Sequence, residues 1–198
     1  MVGKRAATDA RRWDIRLRCP RCGNAIDALD CAVCGFSIAM DDGIAHALLP
    51  ESAARLARFI ADYERIRTSE GRGSESEAFY LALPYRDTTA RDREQWRMRA
   101  RSDDYIGRRL LAGSRVLDLG AGNGWMSYRL ALAGYQPVAV DLLTNDRDGL
   151  GAARHYRARL RTLFPRFQAG MRHLPFADAQ FDVAVFNASF HYAEDAEA

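Results

Sequence analysis

Apolar positions recur along the chain with two periods. Over 51–68, ESAARLARFIADYERIRT, residues Leu56, Phe59, Ile60, Tyr63 and Ile66 follow three-four spacing and predict one helix with a single apolar stripe. SEGRGSESE, 69–77, interrupts with glycine, serine and charge, and predicts a linker. FYLALPYR, 79–86, gathers aromatics around Pro84, and 90–111 reads as two helices, the second ending near Gly113. Beyond that point the pattern changes. SRVLDLG predicts a strand, NGWMSYRLALAG a helix closing at Gly134, and QPVAVDL a second strand. A helix over about 150–163, a short third strand in RFQAG and a fourth in FDVAVFN complete the series. Apolar, β-branched runs alternating with helices predict an α/β fold: a parallel sheet covered on both faces.

A length of 198 residues suffices for one domain and a small module, and 48% hydrophobic residues can form a core. No apolar run is long enough to span a membrane. The opening MVGKRAATDARRWD lacks the apolar stretch of a secretory signal, so a cytoplasmic location is expected. Charge is uneven. Residues 1–22 hold seven arginines or lysines (Lys4, Arg5, Arg11, Arg12, Arg16, Arg18, Arg21) against Asp9 and Asp14, so this arm is +5 in a chain of net +3. Such an arm can contact nucleic acid or an acidic partner, or it can be a solvated terminus; both readings stay open.

The four cysteines fall in CPRCGNAIDALDCAVCG as Cys19, Cys22, Cys31 and Cys34, spaced C-x2-C-x8-C-x2-C. Each C-x2-C pair forms a knuckle that aims two thiolates at one ion, and two knuckles give the closed tetrahedral sulfur site that Zn²⁺ favours. Disulfides do not suit a cytoplasmic chain, and a redox pair needs one such pair rather than two. A closed site has no open coordination position, so the expected metal is structural.

VLDLGAGNGWMS places Gly120, Gly122 and Gly124 at a strand end, spaced G-x-G-x-G, where the dinucleotide fingerprint is G-x-G-x-x-G. Asp118 precedes the first glycine by two residues. A carboxylate there repels a pyrophosphate and welcomes a cation such as an ammonium group. Asp141 ends the second strand, 21 residues past Gly120, where a carboxylate can accept both hydroxyls of a ribose. The ligand implied is a nucleoside with an ammonium group and no phosphates. S-adenosylmethionine fits; NAD, and with it an oxidoreductase, fits less well.

VLDLGAGNGWMS, VAVDL and HLPFADAQFDVAVFNASFHY, in this order, resemble the class I (Rossmann-like) S-adenosylmethionine-dependent methyltransferases over about 103–198. The resemblance implies that Asp118 serves the methionine end of the cofactor. It implies that Gly120, Ala121, Gly122 and Gly124 line it, that Asp141 holds the ribose, and that Leu142 packs on the adenine. Many members carry an acid four residues before the leucine of the LPF element; here that position is Gly170, which leaves Met171 to cover the ring without the amino contact. Residues after the fourth strand commonly face the methyl group in that family. Asn187 would then hold an acceptor atom and His191 take a proton; the alternatives are a turn cap and a packed loop histidine. Tyr80, Tyr85, Trp96 and Arg99 correspond to elements used as a lid, with Arg99 facing the cofactor carboxylate, or else to core aromatics and a solvated helix face.

CPRCG…CAVCG…DDGIAHALLPE is similar to the small zinc ribbons beside or fused to methyltransferases, and large-subunit rRNA guanine methyltransferases have a comparable layout. The expected division is therefore a basic arm and zinc ribbon (1–50), a helical linker or lid (51–102) and the first part of a methyltransferase domain (103–198). The expected strand order of that part is 3-2-1-4, which leaves FDVAVFN an open edge. A full domain of the family continues past this point, so a truncated product, an excerpt of a longer protein and half of a split protein stay open. The function expected is methyl transfer from S-adenosylmethionine to an unidentified acceptor, RNA being one candidate, with partners reached through ribbon and arm. The other reading is a non-catalytic module that binds RNA or protein.

Overall fold

The computed structural model describes residues 14–27 and 29–193. Two short hairpins open the chain. β1 (Leu17–Arg18) pairs with β2 (Ala25–Ile26), and β3 (Ala39–Asp41) pairs with β4 (Ile44–His46). Asp42 and Gly43 join β3 to β4 with φ of 46° and 72°, the left-handed pair that a two-residue hairpin turn requires. Three helices follow: α1 (Pro50–Ser69), α2 (Glu77–Ala82) and α3 (Arg93–Gly107). Then come β5 (Arg115–Leu119), α4 (Trp125–Leu132), β6 (Gln136–Asp141), a 3-10 helix (Leu150–Ala158), β7 (Arg166–Gln168) and β8 (Val183–Val185). A single 3-10 turn, Phe190–Tyr192, ends the described part.

One six-stranded sheet runs β3-β4-β7-β6-β5-β8. β8, β5, β6 and β7 are parallel, and β4 continues the parallel set by pairing with β7, with His46 opposite Gln168. The hairpin expected to belong to a separate module thus extends the sheet, which the four-strand expectation did not include.

Alternation along the strands decides what each face carries. Val116 and Ala139 point to a core of Phe79, Tyr80, Trp96, Trp125, Tyr128 and Tyr156 from the helices. Leu117, Leu119, Val138, Val140 and Phe167 point the other way, onto Leu17, Cys19, Cys31, Phe36 and Ile38 of the cysteine segment. The cysteine segment is therefore the second covering layer of the sheet.

Two expectations are corrected, and a third element, α1, forms as expected without being covered. Residues 93–107 form one helix, not two, because neither proline nor glycine interrupts them before Gly107. The segment after β6 is a 3-10 helix ending at Ala158, shorter than the helix expected to 163. At its entrance Gly149 and Gly151 press against the loop before it, where a Cβ on Gly151 would stand 2.3 Å from Asp146 Oδ1. The apolar stripe of α1 is not buried: no residue of that helix is, and Phe59 and Ile66 are 43% and 52% exposed.

Candidate functional site

The carboxyl ends of β5 and β6 meet at the glycine turn. Gly120, Gly122 and Gly124 have φ of 75°, 53° and 76°, in the left-handed region where other residues are strained. At Gly120 a second constraint applies, since a Cβ would lie 2.2 Å from Ser189 Cβ. Ser189, behind β8, donates to Leu119 O at 2.5 Å, so the segment after the fourth strand seats directly on the turn. The Asn123 side chain accepts from the Trp125 N–H at 3.2 Å and starts α4.

Two carboxylates shape this turn from below. Asp118 is 1% exposed and accepts from Ser127 Oγ at 2.7 Å. Burial pushes it up to about 6, the nearby Asp141 charge adding to the effect and Ser127 opposing it. Asp141 accepts the Gly122 N–H at 2.7 Å through one oxygen and the Leu143 N–H at 2.8 Å through the other. Its carboxyl is raised as well, burial being the main cause. Asp141 thus ties the end of β6 to the middle of the glycine turn.

Above the turn lies a cavity of about 70 Å³ bounded by Gly120, Ala121, Gly122, Asn123 and Trp125 on one side. Its other walls are Arg67 from the last turn of α1, Gly71–Gly73 from the segment read as a linker, Trp96 and Arg99 from α3, and Asp148. Arg67 Nε donates to Asp148 Oδ2 at 2.5 Å. Burial works to lower that guanidinium, and the Asp148 carboxylate outweighs it. Arg72 pairs with Asp92 at 2.7 Å. Arg99 stacks on Trp96 with its guanidinium carbon 4.5 Å from the ring centre. Burial, then the charges of Arg67 and Arg72, hold its pKa below the usual arginine value, so Arg99 sits in a positive field.

The structure brings some of the named residues together and leaves others apart. Gly120, Ala121 and Gly122 line the cavity; Asp118 and Asp141 lie beneath the turn and do not. The Met171 methyl reaches to 3.7 Å from where a Gly120 Cβ would be, while Gly124 packs under Phe164 and Tyr156. Leu142 is half-buried and its carbonyl accepts from Gln168 at 3.0 Å. Asn187 is half-buried and His191 exposed, and neither borders the cavity. His191 instead leans on Tyr192, which meets Phe59 and Tyr63 of α1 edge to face. Of the lid residues, Tyr80 is buried with its hydroxyl 2.5 Å from Arg147 O, Tyr85 bonds Asp103 and Asp104, and Trp96 and Arg99 face the cavity.

Arg67 and Asp148 were not anticipated. They are 81 residues apart, and no local pattern announces the pair. The Asn145 side chain, accepting from the Arg147, Asp148 and Gly149 N–H groups, builds the loop that presents Asp148; an asparagine in the loop four residues past β6 is the one local signal.

The four cysteine sulfurs lie within 4.8 Å of one another, with Cys19 and Cys34 3.5 Å apart and Cys22 and Cys31 likewise. A tetrahedral Zn–S length of about 2.3 Å places sulfurs roughly 3.8 Å apart, so the cluster fits such an ion. Both knuckles share one construction. Gly23 N–H bonds Cys19 O and Gly35 N–H bonds Cys31 O, each at 2.9 Å, with glycine φ of 75° and 71°. The Asn24 amide lowers the Cys22 thiol to about 6, which favours a thiolate.

Of the basic arm, Lys4, Arg5, Arg11 and Arg12 lie outside the described residues. Arg18 pairs with Asp178 at 3.0 Å, Arg21 with Glu51 at 3.6 Å, and Arg16 donates to Asp178 O at 3.4 Å. Arg18 and Arg21 are thus partly neutralised within the chain, whereas the Arg16 contact is with an uncharged backbone carbonyl. Among the described residues no helix is long and apolar enough to cross a membrane.

Comparison with known proteins bears on the part that builds the turn. The comparison with curated proteins returns no match. Among solved structures the chain is similar to the YcgJ protein of Bacillus subtilis, with 25% identity over 48% of this chain and 41% of that one, and a TM-score of 0.37. The chain thus spans less than half the length of that protein. From Leu117 to Ala198, a stretch that includes the glycine turn, Asp141 and the segment after β8, the sequence matches the family model described as a methyltransferase domain.

Proposed function

We propose that the chain binds S-adenosylmethionine at the glycine turn and serves methyl transfer to an acceptor outside the cofactor cavity. The observation that carries this is the meeting of Asp118, Asp141 and the left-handed glycines under a cavity whose roof is Arg99, in a stretch that matches a methyltransferase domain. The cofactor, when bound, supplies an electrophilic methyl on a sulfonium with an excellent leaving group. The residues then need to bind, orient and exclude water. Asp118, buried beneath the turn, attracts the ammonium group by its charge, and Arg99, stacked on Trp96 without a carboxylate partner among the described residues, takes the carboxylate in a charge-assisted bond. Asp141 holds the ribose with its remaining lone pairs, and Leu142 and Met171 cover the adenine. Asn187 and His191 stand on the acceptor side, where Asn187 orients the nucleophile and His191 accepts its proton if it must lose one.

The cysteines hold one Zn²⁺ as a structural ion. RNA is the acceptor class we favour, reached through the basic arm and the cysteine module in the cytoplasm. The cavity of about 70 Å³ is far below the roughly 300–1,000 Å³ of a ligand site, so α1, the wall with no buried residue, has to move for the cofactor to enter. Titration calorimetry of S-adenosylmethionine into the zinc-loaded chain tests the reading. Micromolar binding that Asp141→Ala abolishes is expected; no binding, or binding that ignores the substitution, refutes it.

A further inference from the structure

The segment 169–176 runs from the end of β7 to Phe176 and carries Met171 beside Gly120. At one end β7 pairs with β4, and His46 Nδ1 lies 2.7 Å from Gln168 Oε1. At the other end Leu17 bridges Phe176, Arg18 N–H bonds Pro175 O at 3.1 Å, and Ala177 N–H bonds Arg16 O at 2.9 Å. Gln180, 7% exposed, locks this second clamp. It accepts the Arg16 N–H at 2.9 Å and donates to Arg16 O at 2.7 Å, as a backbone strand would. The second clamp comes from the cysteine segment, and the first shares its core, since Ala45 and Ala47 pack in one cluster with Cys19 and Cys31. Cys19 follows β1 directly, and Cys19 and Cys31 are buried in the core that also holds Leu117, Val140, Phe167 and Phe176.

From this arrangement we infer that the metal-loaded cysteine module is a positioning element of the cofactor site: it holds the segment 169–176, and with it Met171, against the glycine turn. The inference rests on the cofactor reading above for its consequence, but its mechanical half does not. A module of this size has little core of its own, so an ion at the four sulfurs supplies its order. Loss of the ion frees both clamps together. The sheet face formed by Leu117, Val138 and Val140 loses its cover, and the tethered segment is released.

The test uses the full chain, first loaded with Zn²⁺ and then stripped by a chelator. Hydrogen exchange of peptides covering 166–177 should speed up by at least about tenfold, a local loss of roughly 1.4 kcal/mol, while α4 stays protected. Affinity for S-adenosylmethionine should fall by about tenfold or more, the scale at which outer supports act on a site. Should stripping unfold the whole chain, Gln180→Ala decides. It leaves all four cysteines and the ion in place, and should still raise exchange at 169–177 and weaken cofactor binding. Failure of the chain to hold Zn²⁺, exchange at 166–177 that ignores both metal and Gln180, or cofactor affinity unchanged in stripped chain and variant alike would overturn the inference. A loaded chain that never binds the cofactor, yet whose segment responds to metal, would sink the cofactor reading while upholding the brace.

Discussion

Asp118→Asn should stabilise this protein at neutral pH while costing it the cofactor. The carboxyl group is 1% exposed and moved from its usual 3.8 to about 6. At roughly 1.4 kcal/mol per pH unit that move is worth about 3 kcal/mol. The sign follows from proton linkage. Between about pH 4 and 6 the folded chain holds a proton that the unfolded chain releases, so stability falls as pH rises through this window. Above it the folded state carries the whole penalty of a buried charge; below it both states are neutral and the penalty vanishes. Asparagine keeps an acceptor for Ser127 Oγ, which now bonds Asp118 at 2.7 Å, and removes the charge. About 3 kcal/mol is the ceiling of the gain, because the amide also brings two buried N–H donors that need partners. For a chain of this size each kcal/mol raises Tm by roughly 2–4 °C.

Scanning calorimetry at pH 7.5 should therefore show Asp118→Asn melting several degrees above the parent, with the gap narrowing through pH 6 to 4 and closing below about pH 4. Comparing the two proteins isolates Asp118 from other carboxyls, such as Asp87, whose lowered value works in the opposite direction. The same substitution should weaken S-adenosylmethionine by at least about tenfold, through loss of the buried charge that attracts the ammonium group. Near pH 6 the parent should release protons on binding, seen as a dependence of the heat on buffer ionisation. A variant that melts lower at pH 7.5, or a gap in Tm that does not change with pH, would refute the assignment of the penalty to this group.

Other substitutions read other parts of the site. Gly120→Ala combines a left-handed φ, costing about 1–2 kcal/mol, with a Cβ 2.2 Å from Ser189; chemical denaturation should show a loss above 2 kcal/mol and calorimetry no cofactor binding. Arg99→Ala should weaken the cofactor about tenfold or more with little change in Tm, and Arg99→Lys should recover only part of it, since lysine is a point charge without the planar fork. Asp148→Asn removes the partner of Arg67 and should free the end of α1, so that exchange over 60–73 rises while the sheet stays protected.

How far the sequence reached depended on the range of the interactions. Strands β5 and β6 were legible because their apolar runs are buried on both faces, and the glycine turn because its residues demand left-handed backbone locally. The two cysteine knuckles were legible for the same reason: each closes over five residues, from Cys19 to Gly23 and from Cys31 to Gly35. What escaped was set by partners far along the chain. The stripe of α1 signals a helix but not what covers it; in the structure Tyr192 meets Phe59 and Tyr63, Leu56 and Ile60 are half-buried, and Phe59 stays 43% exposed. The hairpin β3–β4 carries no sign that its partner is β7, over a hundred residues on. SEGRGSE reads as a linker because glycine and serine are the residues a tight wall also needs: a Cβ on Gly73 would stand 2.5 Å from Arg147 O.

The loose seating of α1 has a functional consequence. A helix with no buried residue is held by the Arg67–Asp148 pair, by the Glu64–Asn145 bond at 2.8 Å and by edge contacts of Tyr63 and Phe59 with Tyr192. The Arg67–Asp148 pair, with side chains 24% and 12% exposed, is the strongest of these ties and the one that opening has to break. Opening also separates Arg67 from Asp148 and enlarges the cavity toward the size a nucleoside needs. On the proposed reading the cofactor's carboxylate meets Arg67, Arg72 and Arg99 together; burial first, and then the charges of the other two, already lower Arg99. An anion relieves the repulsion among the three. On the proposed reading, Asp148 is the internal acid that the ligand's carboxylate replaces beside Arg67, and Asp148→Asn should then raise rather than lower affinity for the cofactor.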